Sequence, residues 1–143
     1  MALSILHGGM IRYSVDVWED SAAWVAGNVL QLNTAGQAEL STGTAVGVRG
    51  LAIEPSPSSA ATSADSLAGV PCGDKVSLLL DEAVVETDQI TSGVTLKVNQ
   101  VVYPDVLGNI TDTTNKAVDQ VIGVMLQDAA WNGTARLLWT VQY

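Results

Sequence analysis

The sequence predicts an all-β fold with little helix, a small β-barrel or sandwich of the β-tulip kind, and three observations lead to it. Runs rich in Val, Leu, Ile and Thr are broken roughly every eight to twelve residues by Gly, Asn or Asp, the spacing of short strands joined by tight turns. The closing stretch alternates: Ala135, Leu137, Trp139 and Val141 make an apolar face, and Thr134, Arg136, Leu138, Thr140 and Gln142 a mostly polar one, so one face meets a core. No segment sustains the roughly 3.6-residue period of an amphipathic helix, and residues 63–67 offer a turn or two of helix at most.

With 143 residues, 48% of them hydrophobic and 15% charged, the chain makes one folded domain. Residues 1–16 precede the patterned region and carry Ile5, Leu6, Met10, Ile11 and Tyr13 around the Gly8–Gly9 pair. Two readings hold for this segment: an extended N-terminal arm that adds a strand to a sheet edge on another chain, or the ordinary first strand of the domain. Residues 17–143 are a single β domain.

Within that domain the chain echoes itself at an offset of 72 that widens to 73. Gly27-Asn28-Val29-Leu30, a turn at Gly36 and then Ala38 align with Asn99-Gln100-Val101-Val102, Gly108 and Ile110. Val48-Arg49-Gly50-Leu51-Ala52-Ile53 then aligns with Val121-Ile122-Gly123-Val124-Met125-Leu126. The two units, residues 27–80 and 99–141, each run hairpin, strand, strand. Either unit alone leaves an apolar face open, and setting one against the other closes a barrel or sandwich. Chance coincidence of Gly and Val in a β-rich chain is the competing account.

Turns are expected at Thr34-Ala35-Gly36, Val106-Leu107-Gly108-Asn109 and Asn132-Gly133, and a strand in which Val94, Leu96 and Val98 alternate with Thr95, Lys97 and Asn99. Where the second unit crosses from Gln127 to Asn132 directly, the first spends residues 54–71, with Pro55 and Pro57, on an inserted loop of Pro, Ser and Ala. It has little to bury, and loops of this length are functional or disordered.

Six Lys and Arg against fifteen Asp and Glu give a net charge of −9, which repels phosphate backbones and argues against a nucleic-acid partner. No run approaches the ~18 apolar residues of a membrane span, and residues 1–10 lack the basic start of a targeting segment, so a soluble protein with no membrane partner is expected. Catalytic sets are poorly supplied. His7, the one histidine, lies beside glycines, and Cys72, the one cysteine, has no histidine to activate it. Glu19-Asp20 and Asp81-Glu82 are neighbours that face apart on a strand and read as solvated turn residues. Asp105 to Asp112 lacks the spacing of a calcium loop, and Gly43, Gly47 and Gly50 make no phosphate-binding loop. The expectation is therefore no enzyme, no metal, no cofactor and no small-molecule substrate. Of the four tryptophans, Trp139 falls on the inward face of the last strand; Trp18, Trp24 and Trp131 sit where core edge, subunit interface and sugar platform are all open.

Leu30-Gln31-Leu32-Asn33-Thr34, followed by Thr44-Ala45-Val46-Gly47-Val48 and Leu51-Ala52, resembles the head decoration proteins of lambda-like tailed bacteriophages. Val101-Val102-Tyr103-Pro104-Asp105, Gly108-Asn109-Ile110-Thr111 and Val121-Ile122-Gly123-Val124 are similar to the wider group of phage capsid cement proteins. The resemblance covers about two-thirds of the chain, and its motifs are patterns of β structure; the Pro-Ser loop and the doubled plan depart from the smallest members. It implies a non-enzymatic virion protein on the outer surface of a capsid, typically a homotrimer, that clamps neighbouring major capsid subunits against internal pressure. The contact residues it implies are Ile5, Leu6, Met10, Ile11 and Tyr13 in the arm, Trp18 beside it, and Pro55 and Pro57 in the loop. The alternatives are a β-rich receptor-binding or spacer domain of a phage tail fibre or baseplate, and a carbohydrate-binding module, which would show a line of solvent-facing indoles.

Overall fold

The computed structural model describes residues 3–18, 21–41, 47–56 and 75–141, and for residues 10–12 and 81 the backbone alone. Among these residues the regular elements are all strands: β1 (Leu3–Asp16), β2 (Val29–Leu32), β3 (Ala38–Leu40), β4 (Arg49–Ala52), β5 (Lys75–Thr87), β6 (Thr95–Leu96), β7 (Val101–Pro104), β8 (Ile110–Thr111), β9 (Gly123–Met125), β10 (Ala129–Ala130) and β11 (Ala135–Thr140). The helical turn expected at residues 63–67, most of the inserted loop, Cys72, Glu19, Asp20 and Gly43 lie outside the described residues.

The main sheet runs β3-β2-β4-β5-β11-β9-β7-β8, with β1 on β5, and β6 and β10 form a separate two-stranded ladder. Every strand ladder is antiparallel. The strand β5 is the spine. A strand has two edges, and β1 occupies one of them from Lys75 to Thr87. The other is shared, by β4 at Leu78 and Leu79 and by β11 from Asp81 to Thr87. Parallel bridges Val17 to Ala38 and Ile90 to Ile110 curl each half back towards its own hairpin. The architecture is an all-β, barrel-like sandwich, and the ladders stop short of a closed barrel.

Backbone pairings recur down the chain. The Gly27 N–H donates to Ala52 O at 2.8 Å, and the Asn99 N–H donates to Met125 O at 2.8 Å. Leu30 pairs with Gly50, and Val102 with Gly123. The Trp18 N–H donates to Ala38 O at 2.9 Å, and the Thr91 N–H to Ile110 O at 3.0 Å. Tyr13 pairs with Leu78 as Val85 pairs with Leu137. Each such pair of positions is 72 or 73 residues apart on the opening strands and hairpins. The correspondence reaches back beyond Gly27 into β1, so residues 12–16 open the first half as residues 84–88 open the second.

Burial follows the alternation of side chains along each strand. In β11, Ala135, Leu137 and Trp139 are buried and the residues between them are partly exposed. They join Val85, Ile90, Leu96, Val102, Ile110, Ile122 and Met125 in one core cluster, while Val15, Trp24, Leu30, Ala38, Ala52, Val76 and Leu78 form a second. Fully burying side chains of this size stabilises the fold by about 1.5–3 kcal/mol each before the entropy of ordering is counted.

Of the two readings of residues 1–16, the structure has the first strand of the domain over Leu3–Asp16, laid along β5 with Val15 buried in the second cluster. Two expectations change. Asp81-Glu82 is no turn: β5 runs through it, because Asp81 pairs on both edges, with Ile11 and Thr140, and register shifts on both sides pass over Glu82. Val98 does not share the inward face of Val94 and Leu96; the strand ends at Leu96, and Val98 sits exposed in a turn where Asn99 has φ 69°.

Candidate binding surface

The surface that stands out begins at a turn. In the β2–β3 hairpin, Asn33 Oδ1 accepts the Ala35 N–H at 2.9 Å and the Gln37 N–H at 2.9 Å. In the β7–β8 hairpin, Asp105 Oδ1 accepts the Leu107 N–H at 2.8 Å and the Asn109 N–H at 2.8 Å. This is the local side-chain closure for which Asn and Asp are favoured in turns. Buried Asp105 goes further, its Oδ2 accepting the Thr91 hydroxyl at 2.6 Å.

The tips these turns carry differ. In the first hairpin they are Thr34 and Ala35, and in the second Val106 and Leu107, exposed by 59% and 62%. The second tip is also fixed from below. The Val29 N–H donates to Gly108 O at 2.7 Å, and Asn28 Nδ2 donates to Gly108 O at 3.3 Å and to Asn109 Oδ1 at 3.0 Å. Val106 and Leu107 therefore form a rigid apolar knuckle. On one side lies a groove of about 210 Å³ lined by Trp18, Ala22, Glu39 and Leu40. On the other lies a shallower one of about 310 Å³ lined by Ala23, Trp24, Val25 and Gln89. Leu107 borders both. A preorganised apolar ridge of this kind gains from burial against a partner without the cost of ordering a loop.

Four cations of the chain are paired with carboxylates. Lys75 is held by Asp16 at 2.9 Å, Lys97 by Asp128 at 3.8 Å and Arg136 by Glu86 at 3.0 Å. Lys116 pairs with Asp119 and lies 4.9 Å from the centre of the Tyr103 ring; the hydrogen bond it donates to the Asp119 carboxylate raises its pKa above the ordinary lysine value. Among the described residues, groups of His, Cys, Asp and Glu arranged to hold a metal are absent.

The expected contact residues are scattered. Leu6 and Tyr13 are exposed on β1, but Ile5 is partly buried against the first core cluster. The Met10 and Ile11 side chains lie outside the described residues, although both positions belong to β1. Trp18 lines the first groove, Pro55 is exposed, and Pro57 lies outside the described residues. Among those whose side chains are described, Trp18 lines the groove beside the knuckle and the others do not. The sequence reads Val106 and Leu107 as turn residues, and the signal for more is their apolarity where the matching tip carries Thr34 and Ala35. The row of indoles that a sugar platform needs does not form from these tryptophans, since Trp24 and Trp139 are buried and Trp131 is left exposed by itself on the β10–β11 turn.

No family model matches this chain. No curated protein matches it either.

Proposed function

We propose that this chain is a capsid decoration protein, which binds the outer surface of a phage head and bridges major capsid subunits by adhesion rather than by catalysis. The observation that supports it best is the rigid knuckle of Val106 and Leu107 between two apolar grooves. The resemblance of the strand pattern to phage cement proteins supplies the partner. On this reading the knuckle and Trp18 seat in depressions where capsid subunits meet, and burying two such aliphatic side chains favours binding by about 3–6 kcal/mol before losses of motion are subtracted. Because both tip side chains point into water, polar replacements leave the fold intact.

The test is occupancy on purified expanded heads of the phage that encodes the chain. Wild-type protein is expected to saturate them, and Leu107→Asp, with an unchanged circular dichroism spectrum, to lose at least tenfold in affinity, the equivalent of about 1.4 kcal/mol. Undiminished occupancy by the variant would refute the knuckle, and binding to tails with none to heads would favour the fibre or baseplate reading instead.

A further inference from the structure

We infer that two copies of this chain join edge to edge through β1, in a two-fold contact that continues one sheet into the next. The inference stands apart from the shell reading and rests on comparing equivalent strands within the chain.

In the second half, the opening strand at residues 84–88 is covered on both edges as far as Thr87. On one side β11 pairs with it, and on the other Leu3, Ser4 and Ile5 pair with Thr87, Glu86 and Val85. In the first half, the equivalent strand is residues 12–16 of β1. One edge pairs with β5 from Lys75 to Leu79, and along the other no strand partner is present among the described residues. The effect shows in the side chains. Val85 is fully buried in the first core cluster, against which Leu3 and Ile5 pack, whereas its counterpart Tyr13 is 48% exposed.

A strand edge with free N–H and C=O groups is a template for another strand. The chain itself shows which segment fits this edge. Residues 3–5 cover it in the second half, and stepping their pairing back by 72 sets Leu3, Ser4 and Ile5 of a second copy opposite Val15, Ser14 and Tyr13. An antiparallel pairing of a strand with its own copy is symmetric, so each β1 gives its residues 3–5 and receives those of the other. Along the outer edge of residues 3–5, too, no strand partner is present among the described residues, β5 taking the inner edge. The pairing places apolar groups opposite apolar or aromatic ones and Ser opposite Ser, with no like charges facing. Bulges between Ile5 and His7 and between Gly8 and Ile11 interrupt the middle of β1. They confine the contact to its two ends, which fixes the register and blunts the edge against indefinite stacking.

Cysteine exchange between copies tests the register. In full-length protein carrying Cys72→Ser, Ile5→Cys and Tyr13→Cys are made separately and oxidised alone and mixed. Opposed residues on paired strands are about 4.5–5.5 Å apart at Cα, within disulfide reach. A covalent dimer is expected in the mixture and little in either variant alone. Dimer formed by Tyr13→Cys alone, or none in the mixture, overturns the register. Sedimentation of the unmodified chain reads the symmetry: a dimer is expected, and Tyr13→Asp, at an exposed position, should lower its association at least tenfold while leaving the spectrum of folded protein unchanged. A monomer at every concentration, a trimer without cross-linking, or a Tyr13→Asp dimer of undiminished affinity overturns the proposal. None of these measurements involves a capsid.

Discussion

Asn33 and Asp105 fill the same position in the two hairpins, each closing its turn with one side-chain oxygen on two backbone N–H groups, but Asp105 is buried and also takes the Thr91 hydroxyl. Removing the two therefore has unequal effects. Asp105→Ala leaves three donors short of a charged acceptor in a buried place and should cost about 3 kcal/mol, against about 1 kcal/mol for Asn33→Ala. Urea unfolding midpoints at constant slope measure both. Equal losses would mean that the contact with Thr91 adds nothing.

Gly36 and Gly108 both have left-handed φ, at 77° and 73°. A Cβ at Gly36 meets nothing within 4 Å, while one at Gly108 would come within 2.8 Å of the Val29 carbonyl oxygen and 2.6 Å of Leu40 Cδ1. Gly36→Ala should cost about 1 kcal/mol, the backbone penalty by itself. Gly108→Ala adds a clash with backbone and should cost about 3 kcal/mol, lowering the melting temperature several degrees further. The difference measures how tightly the second hairpin is docked on the first half.

Thr111 is fully buried, and its hydroxyl finds no hydrogen-bond partner. Thr111→Val keeps the shape and removes the desolvated group, so a gain of about 1 kcal/mol is expected in thermal or urea unfolding. A loss of that size would show that the hydroxyl is satisfied in solution.

Asp119 raises the pKa of Lys116 through its hydrogen bond, ahead of the opposing effect of desolvation. A raised folded-state pKa means that the pair contributes fully below the ordinary lysine value of about 10.4 and fades as pH climbs through the folded value. The Lys116 contribution is therefore flat across neutral pH and is lost only in alkali. Asp119→Asn should bring the midpoint of Lys116, followed by NMR at its side-chain carbon, down towards the ordinary value, and an unmoved midpoint would contradict the pairing.

What was legible in the sequence is what the backbone forces. Gly50 and Gly123 recur because a Cβ at either would come within 2.9 Å of Leu78 Cβ or 2.6 Å of Leu138 O, so both positions admit only glycine while β4 lies on β5 and β9 on β11. The alternation in β11 was plain because one face is buried and the other is not. The opening strands were harder to read: Tyr13-Ser14-Val15 and Val85-Glu86-Thr87 share almost no side chains, since one is covered and the other is open. Asp81-Glu82 looked like a turn because its acidity says nothing of the strands on either side. The knuckle was hidden for a similar reason, as its apolarity acquires meaning only once Gly108 is seen docked on Val29.

The strand β5 ends one half of the molecule and begins the other without a break in the chain. There is no hinge at the seam, so the halves cannot melt or be clipped apart one at a time. Tension applied across the protein runs along a single thirteen-residue strand, paired with β1 on one edge and with β4 and then β11 on the other from Leu78 onward, in shear rather than by unzipping.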